Sequence, residues 1–113
     1  MASVQDVFDL WKKTFDRKKA LELKTKVVVQ ENVDGEGGGV WQVILENGGY
    51  RVVKGAEEKP QLELKYKTME DFVNISLGKI GGAKAYMTGK VRFTGPQSLA
   101  QQFAKVFPPP QKE

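Results

Sequence analysis

A chain of 113 residues suits one domain, and at 40% hydrophobic residues it can bury a modest core. Cysteine and histidine are both missing, which excludes disulfides, thiol catalysis, Cys/His zinc sites and nucleophiles activated by histidine. The formal charge is +4, the mean hydropathy is −0.45, and no apolar run approaches the ~20 residues of a membrane span, so a soluble, folded protein is expected.

Ser3 marks the N-cap of a first helix, with Asp6 in the reciprocal position of a capping box. Val4, Val7, Phe8, Trp11 and Phe15 recur at helical spacing and form one apolar stripe. The helix is expected to fade between Arg17 and Leu21. Acidic residues appear early and no apolar stretch is uninterrupted, so this end does not read as a secretory signal. Lys12, Lys13, Arg17, Lys18, Lys19, Lys24 and Lys26 make the region basic, diluted by Asp6, Asp9, Asp16 and Glu22. A solvated helix face accounts for them, as does transient contact with an anionic membrane surface. Nucleic-acid binding is not expected, because basic residues are not densely interleaved with exposed aromatics.

Residues 25–33 read as the first strand through the β-branched run Val27, Val28 and Val29. Residues 34–39 form a glycine-rich turn without the spacing of a phosphate-binding loop. Residues 40–46 give a second strand with Trp41, Val43 and Leu45 on one side. Asn47-Gly48-Gly49 is a hairpin signal, and residues 50–54 return as the third strand. In residues 61–67, Leu62, Leu64 and Tyr66 alternate with Glu63 and Lys65, so one sheet face should be covered and the other wet.

Thr68 caps the next helix, which carries Met69, Phe72, Val73 and Leu77 on one face and ends at Gly78. Gly81 and Gly82 lead into a short helix over residues 83–88. Residues 90–94 give a fifth strand, with Val91 and Phe93 on the same side. Pro96 opens the final helix, whose apolar face is Leu99, Ala100, Phe103, Val106 and Phe107. Pro108, Pro109 and Pro110 stop it. A single domain over residues 1–107 and a disordered proline-rich tail over 108–113 are expected. The fold class is α+β: a five-stranded sheet covered on one face by helices.

The ordered set Asp71-Phe72, Leu77-Gly78-Lys79, Ala85-Tyr86-Met87-Thr88-Gly89-Lys90, Thr94-Gly95 and Leu99-Ala100 resembles the sterol carrier protein 2 family. The resemblance covers about residues 28–107. It implies an apolar tunnel between sheet and helices that holds fatty acid, fatty acyl-CoA, phospholipid or sterol. The function implied is non-enzymatic, cytoplasmic lipid binding and transfer, with no cofactor, no metal and no catalytic residue. The alternative is an accessory module that presents lipid to a lipid-metabolising enzyme, or scaffolds it. The candidate tunnel wall is Trp41, Val43 and Leu45 from the sheet and Phe72, Ile75, Leu77 and Ile80 from the helix after it and its exit. Tyr86, Met87, Phe93, Leu99, Phe103 and Phe107 complete it. Gln101 and Gln102 are candidates for its entrance, and Lys79 and Lys90 for meeting an anionic head. Gln111-Lys112-Glu113 departs from the family's Ser-Lys-Leu-type peroxisomal address.

Overall fold

The Ser3 side chain accepts a hydrogen bond from the Asp6 backbone, and Asp6 returns one from the Ser3 backbone at 2.8 Å. This reciprocal cap starts α1 (Val4–Thr14). The computed structural model describes residues 2–110. The three last tail residues of the sequence lie outside the described residues.

After α1 come α2 (Arg17–Leu21), β1 (Val27–Val33), β2 (Gly39–Glu46), β3 (Gly49–Lys54) and β4 (Leu62–Tyr66). They are followed by α3 (Met69–Ser76), α4 (Gly82–Met87), β5 (Val91–Thr94) and α5 (Gln97–Val106). The expected fading of the first helix is replaced by a break and a restart. Phe15 leaves helical geometry, and the Asp16 carboxylate then caps α2 by accepting from the Lys19 backbone at 3.1 Å.

The strands form one mixed sheet in the order β3-β2-β1-β4-β5, with β1 and β4 parallel and every other pair antiparallel. The β2–β3 hairpin turns on Asn47 (φ 55°) and Gly48 (φ 75°), both left-handed as a tight two-residue loop requires. Strand alternation sends Val27, Val29 and Val33 of β1 to the helix-covered face, with Val43, Leu45, Leu62 and Tyr66 from its neighbours.

Aromatic rings fill much of the layer between sheet and helices. Trp11 stacks on Phe107 at 4.5 Å and meets Phe72 and Phe103 edge-on at 6.2 Å. Phe15 and Tyr50 close the same cluster against Phe107. Such pairs add to the stabilisation from burial alone.

The opposite face is only partly wet, which corrects the simple alternation. Val28, Ile44 and Gln42 are buried there, under the loop that joins β3 to β4. The Gln42 amide bonds the Glu58 backbone at both ends, at 2.7 and 3.1 Å, and Gln61 accepts from the Val28 backbone at 2.7 Å. These bonds satisfy polar groups that water would otherwise need to reach.

Candidate functional site

At the β4–β5 edge the sheet and helices do not close on each other. Leu64 and Tyr66 of β4, with Val91 and Phe93 of β5, floor a half-open cleft of about 490 Å³. Ile75 of α3 and Tyr86 of α4 form its sides. Ala83, Ala100 and Ala104 leave the space, because a methyl group stands where a larger side chain would fill it. Gln97 and Gln101 supply polar groups, and no lining side chain among the described residues is charged. The volume lies within the range of small-molecule sites, and apolar walls with few polar groups are their usual composition.

The roof is lightly held. α4 has six residues and no side-chain hydrogen bond at its N-cap, and Tyr86 rests on Phe93 at 5.5 Å. Beyond it, Met87 is 83% exposed. Lys90, next to β5, lies 3.6 Å from the buried Asp71 carboxylate, so its charge is already partnered within the fold.

A second hollow, about 550 Å³, lies on the far side, between α1 and β3. Its wall includes Lys12, Arg51 and Lys54 beside Trp41 and Tyr50, and the Lys54 ammonium stands 6.0 Å from the Trp41 ring centre. That is a cation–π distance. This hollow has basic residues in a partly apolar wall, where the first is uncharged.

The thirteen candidate wall residues separate into groups. Ile75, Tyr86 and Phe93 meet in the cleft. Val43, Leu45, Phe72, Phe103 and Phe107 are buried in the core, and half-buried Leu77 and Leu99 pack against it. Trp41 faces the charged hollow. Ile80 is half-buried after α3, and Met87 faces outward beside Arg92. Of the candidate entrance residues, Gln101 lines the cleft. Cleft residues outside the candidate wall include Val91, placed beside Phe93 by strand alternation alone, and Ala83 and Ala104, whose small side chains carry no local signal.

Beside the floor, on the same face of the sheet, is a group the sequence reading also missed. Glu31 of β1 stands between Trp41 on β2 and Leu64 on β4. It is on the same side as Val29 and Val33 and is fully buried. Neither carboxyl oxygen has a hydrogen-bond partner among the described residues. Burial pushes its pKa from 4.5 up to about 8; the Tyr66 hydroxyl acts in the opposite, lesser direction without reaching hydrogen-bond geometry. Burial, and then the Glu31 charge, in turn raise Tyr66 well above its ordinary value. At neutral pH both groups therefore hold their protons. The signal was present in the alternation Val27, Val29, Glu31, Val33, which puts one acid in a valine row.

The sequence matches the SCP-2 sterol transfer family over residues 5–108, and the chain belongs to that family. It is 32% identical over 82 residues to hydroxysteroid dehydrogenase-like protein 2 of Rattus norvegicus. That match covers 73% of this chain but 16% of the relative, so the chain spans only a small part of that protein's length. Among solved structures, the fold is similar to the inverting sec-alkylsulfatase Pisa1 from Pseudomonas sp., with TM-score 0.75 and 20% identity over 93% of this chain and 16% of that one. It is also similar to palmitated SCP2L2 from Aedes aegypti, with TM-score 0.67 and 21% identity over 99% of this chain and 100% of that one. At these identities the solved structures establish likeness of fold.

Proposed function

We propose that this chain binds a lipid by its hydrocarbon tail in the cleft beneath α4 and α5 and passes it on without chemical change. The observation that carries this reading is the uncharged wall of Leu64, Ile75, Tyr86, Val91 and Phe93 around an open space of about 490 Å³. Each methylene moved from water into such a wall gains ~0.8 kcal/mol, so a dozen gross on the order of 10 kcal/mol. Lost translation and tail ordering offset part of this; a net of about 8 kcal/mol corresponds to micromolar affinity. The palmitate named with the Aedes aegypti relative supports an acyl ligand. Fatty acid, acyl-CoA, phospholipid and sterol all carry enough hydrocarbon for this wall. A tunnel in the full sense requires the cleft to deepen when occupied, by outward movement of α4. The exposed lysines of α1 and α2 suit brief contact with an anionic membrane during exchange, and a cytoplasmic setting fits that role.

A second reading has its own support. Two similar proteins, a dehydrogenase-like protein and a sulfatase, match this chain over only 16% of their length. In such a setting the domain would present lipid to a neighbouring enzyme. Titration of the isolated chain with a fluorescent fatty acid tests the binding common to both roles as carrier or presenter. Saturable binding near micromolar is expected; no binding at tens of micromolar would leave a scaffold role alone.

A further inference from the structure

A carboxyl group buried without a partner, in the middle strand of a sheet, is costly to keep. Glu31 is such a group, and it does not stand alone in apolar surroundings. Its β4 neighbour Leu64 and the nearby Tyr66 are both floor residues of the lipid cleft. Tyr66 thus lines the cleft and also lies near Glu31, which is not itself a lining residue. We propose that Tyr66, backed by the buried Glu31, forms the polar inner end of the cleft and favours lipids with an uncharged hydroxyl head over lipids with a free carboxylate.

The inference rests on the cleft being the lipid site, and three observations carry it further. First, both oxygens of Glu31 lack hydrogen-bond partners among the described residues, so hydrogen-bonding capacity is left over at this point. Second, no lysine or arginine among the described residues lines the cleft, so an anionic head pushed inward would lose water and gain no counter-charge there. Third, the carboxyl and phenol hold their protons at neutral pH and together offer both a donor and an acceptor. A hydroxyl can give one hydrogen bond and accept another, so it matches this pair. A carboxylate can only accept, and its charge is better left at the solvent side near Gln97 and Gln101. Long-chain alcohols and sterols share the required head, and the chemistry of the site does not separate them.

The test is displacement of a fluorescent fatty acid from the whole chain at pH 7 by hexadecanol, cholesterol and palmitate. At least one of the two hydroxyl lipids should displace it about tenfold better than palmitate. Success of hexadecanol alone assigns the inner end to linear alcohols, and success of cholesterol alone assigns it to sterols. Tyr66→Phe keeps the ring and removes the hydroxyl. It should cut the hydroxyl lipid's affinity about tenfold more than it cuts palmitate's. Glu31→Met should do the same. Equal displacement by all three lipids in the unmodified protein would overturn the head-group preference while leaving the cleft as the tail site. So would an unchanged preference in folded Tyr66→Phe protein. No binding of the fluorescent fatty acid at all would overturn the cleft itself, and this inference with it. The head-group comparison in the unmodified protein decides the matter even if a variant fails to fold.

Discussion

The Trp11 indole lies on the Phe107 ring with centroids 4.5 Å apart and planes 24° apart. This contact joins the first helix to the residue after the last one, and it fills the centre of the layer between helices and sheet. Helix α1 is therefore part of the core as well as a cover. Trp11→Ala should cost about 3–5 kcal/mol, the usual result of emptying a large aromatic site. Urea denaturation followed by circular dichroism measures it; a loss below about 1 kcal/mol would show that the ring cluster is not the core.

The cleft should be separable from that core. Phe103 is buried against Trp11 and Phe107, so a charge there would unfold the chain before it informed on binding. Its neighbour Ala104 is exposed and faces the cleft. Ala104→Trp should weaken binding of a fluorescent fatty acid by about tenfold or more, while stability changes by less than about 1 kcal/mol. Normal affinity in this variant would place the ligand elsewhere.

Stability should depend on pH through Glu31. Its native pKa of about 8 lies above the ordinary 4.5, so between these values the folded state holds a proton that the unfolded state has released. The contribution is fully present below about pH 4.5, falls as pH rises, and is lost beyond about pH 8. The steepest slope is about 1.4 kcal/mol per pH unit. Tyr66, raised well above 10, adds nothing in this window. Urea titrations at pH 5, 6, 7 and 8 should show the decline, and Glu31→Gln should flatten it. An equal slope in both proteins would refute the assignment.

Much of the architecture was legible in the chain. Ser3, Thr68 and the Asn47-Gly48 turn name their own positions, because capping and left-handed turns depend on single residues. The restart at Asp16 was missed because a charged residue amid lysines looks like solvated helix surface. The cleft was harder to read for a different reason. Phe103 and Ala104 are adjacent on one helix, and periodicity identifies the apolar Phe103 without showing that the space belongs beside Ala104. Nor does local alternation reveal that β1 pairs in parallel with β4, the pairing that brings Glu31 beside Leu64.

Backbone approach makes its own demand at Gly95. Its φ is 131°, and a Cβ there would stand 2.6 Å from the Gln61 carbonyl oxygen. Gly95→Ala should therefore cost about 2 kcal/mol or more. Gly89→Ala offers the control: φ is 77° but nothing lies within 4 Å, so only the left-handed penalty of about 1 kcal/mol is expected. Equal losses in thermal melts would contradict the close packing of β5 on the start of β4.

The most direct test is an NMR titration of the isotope-labelled chain with a long-chain lipid, following methyl and aromatic signals. Saturable shifts should concentrate at Ile75, Val91, Phe93, Ala100 and Ala104. Shifts confined to Phe8, Trp41, Tyr50 and Val52, or no shifts up to the solubility limit of the lipid, would contradict the assignment of the cleft between β4, β5, α4 and α5 as the lipid site.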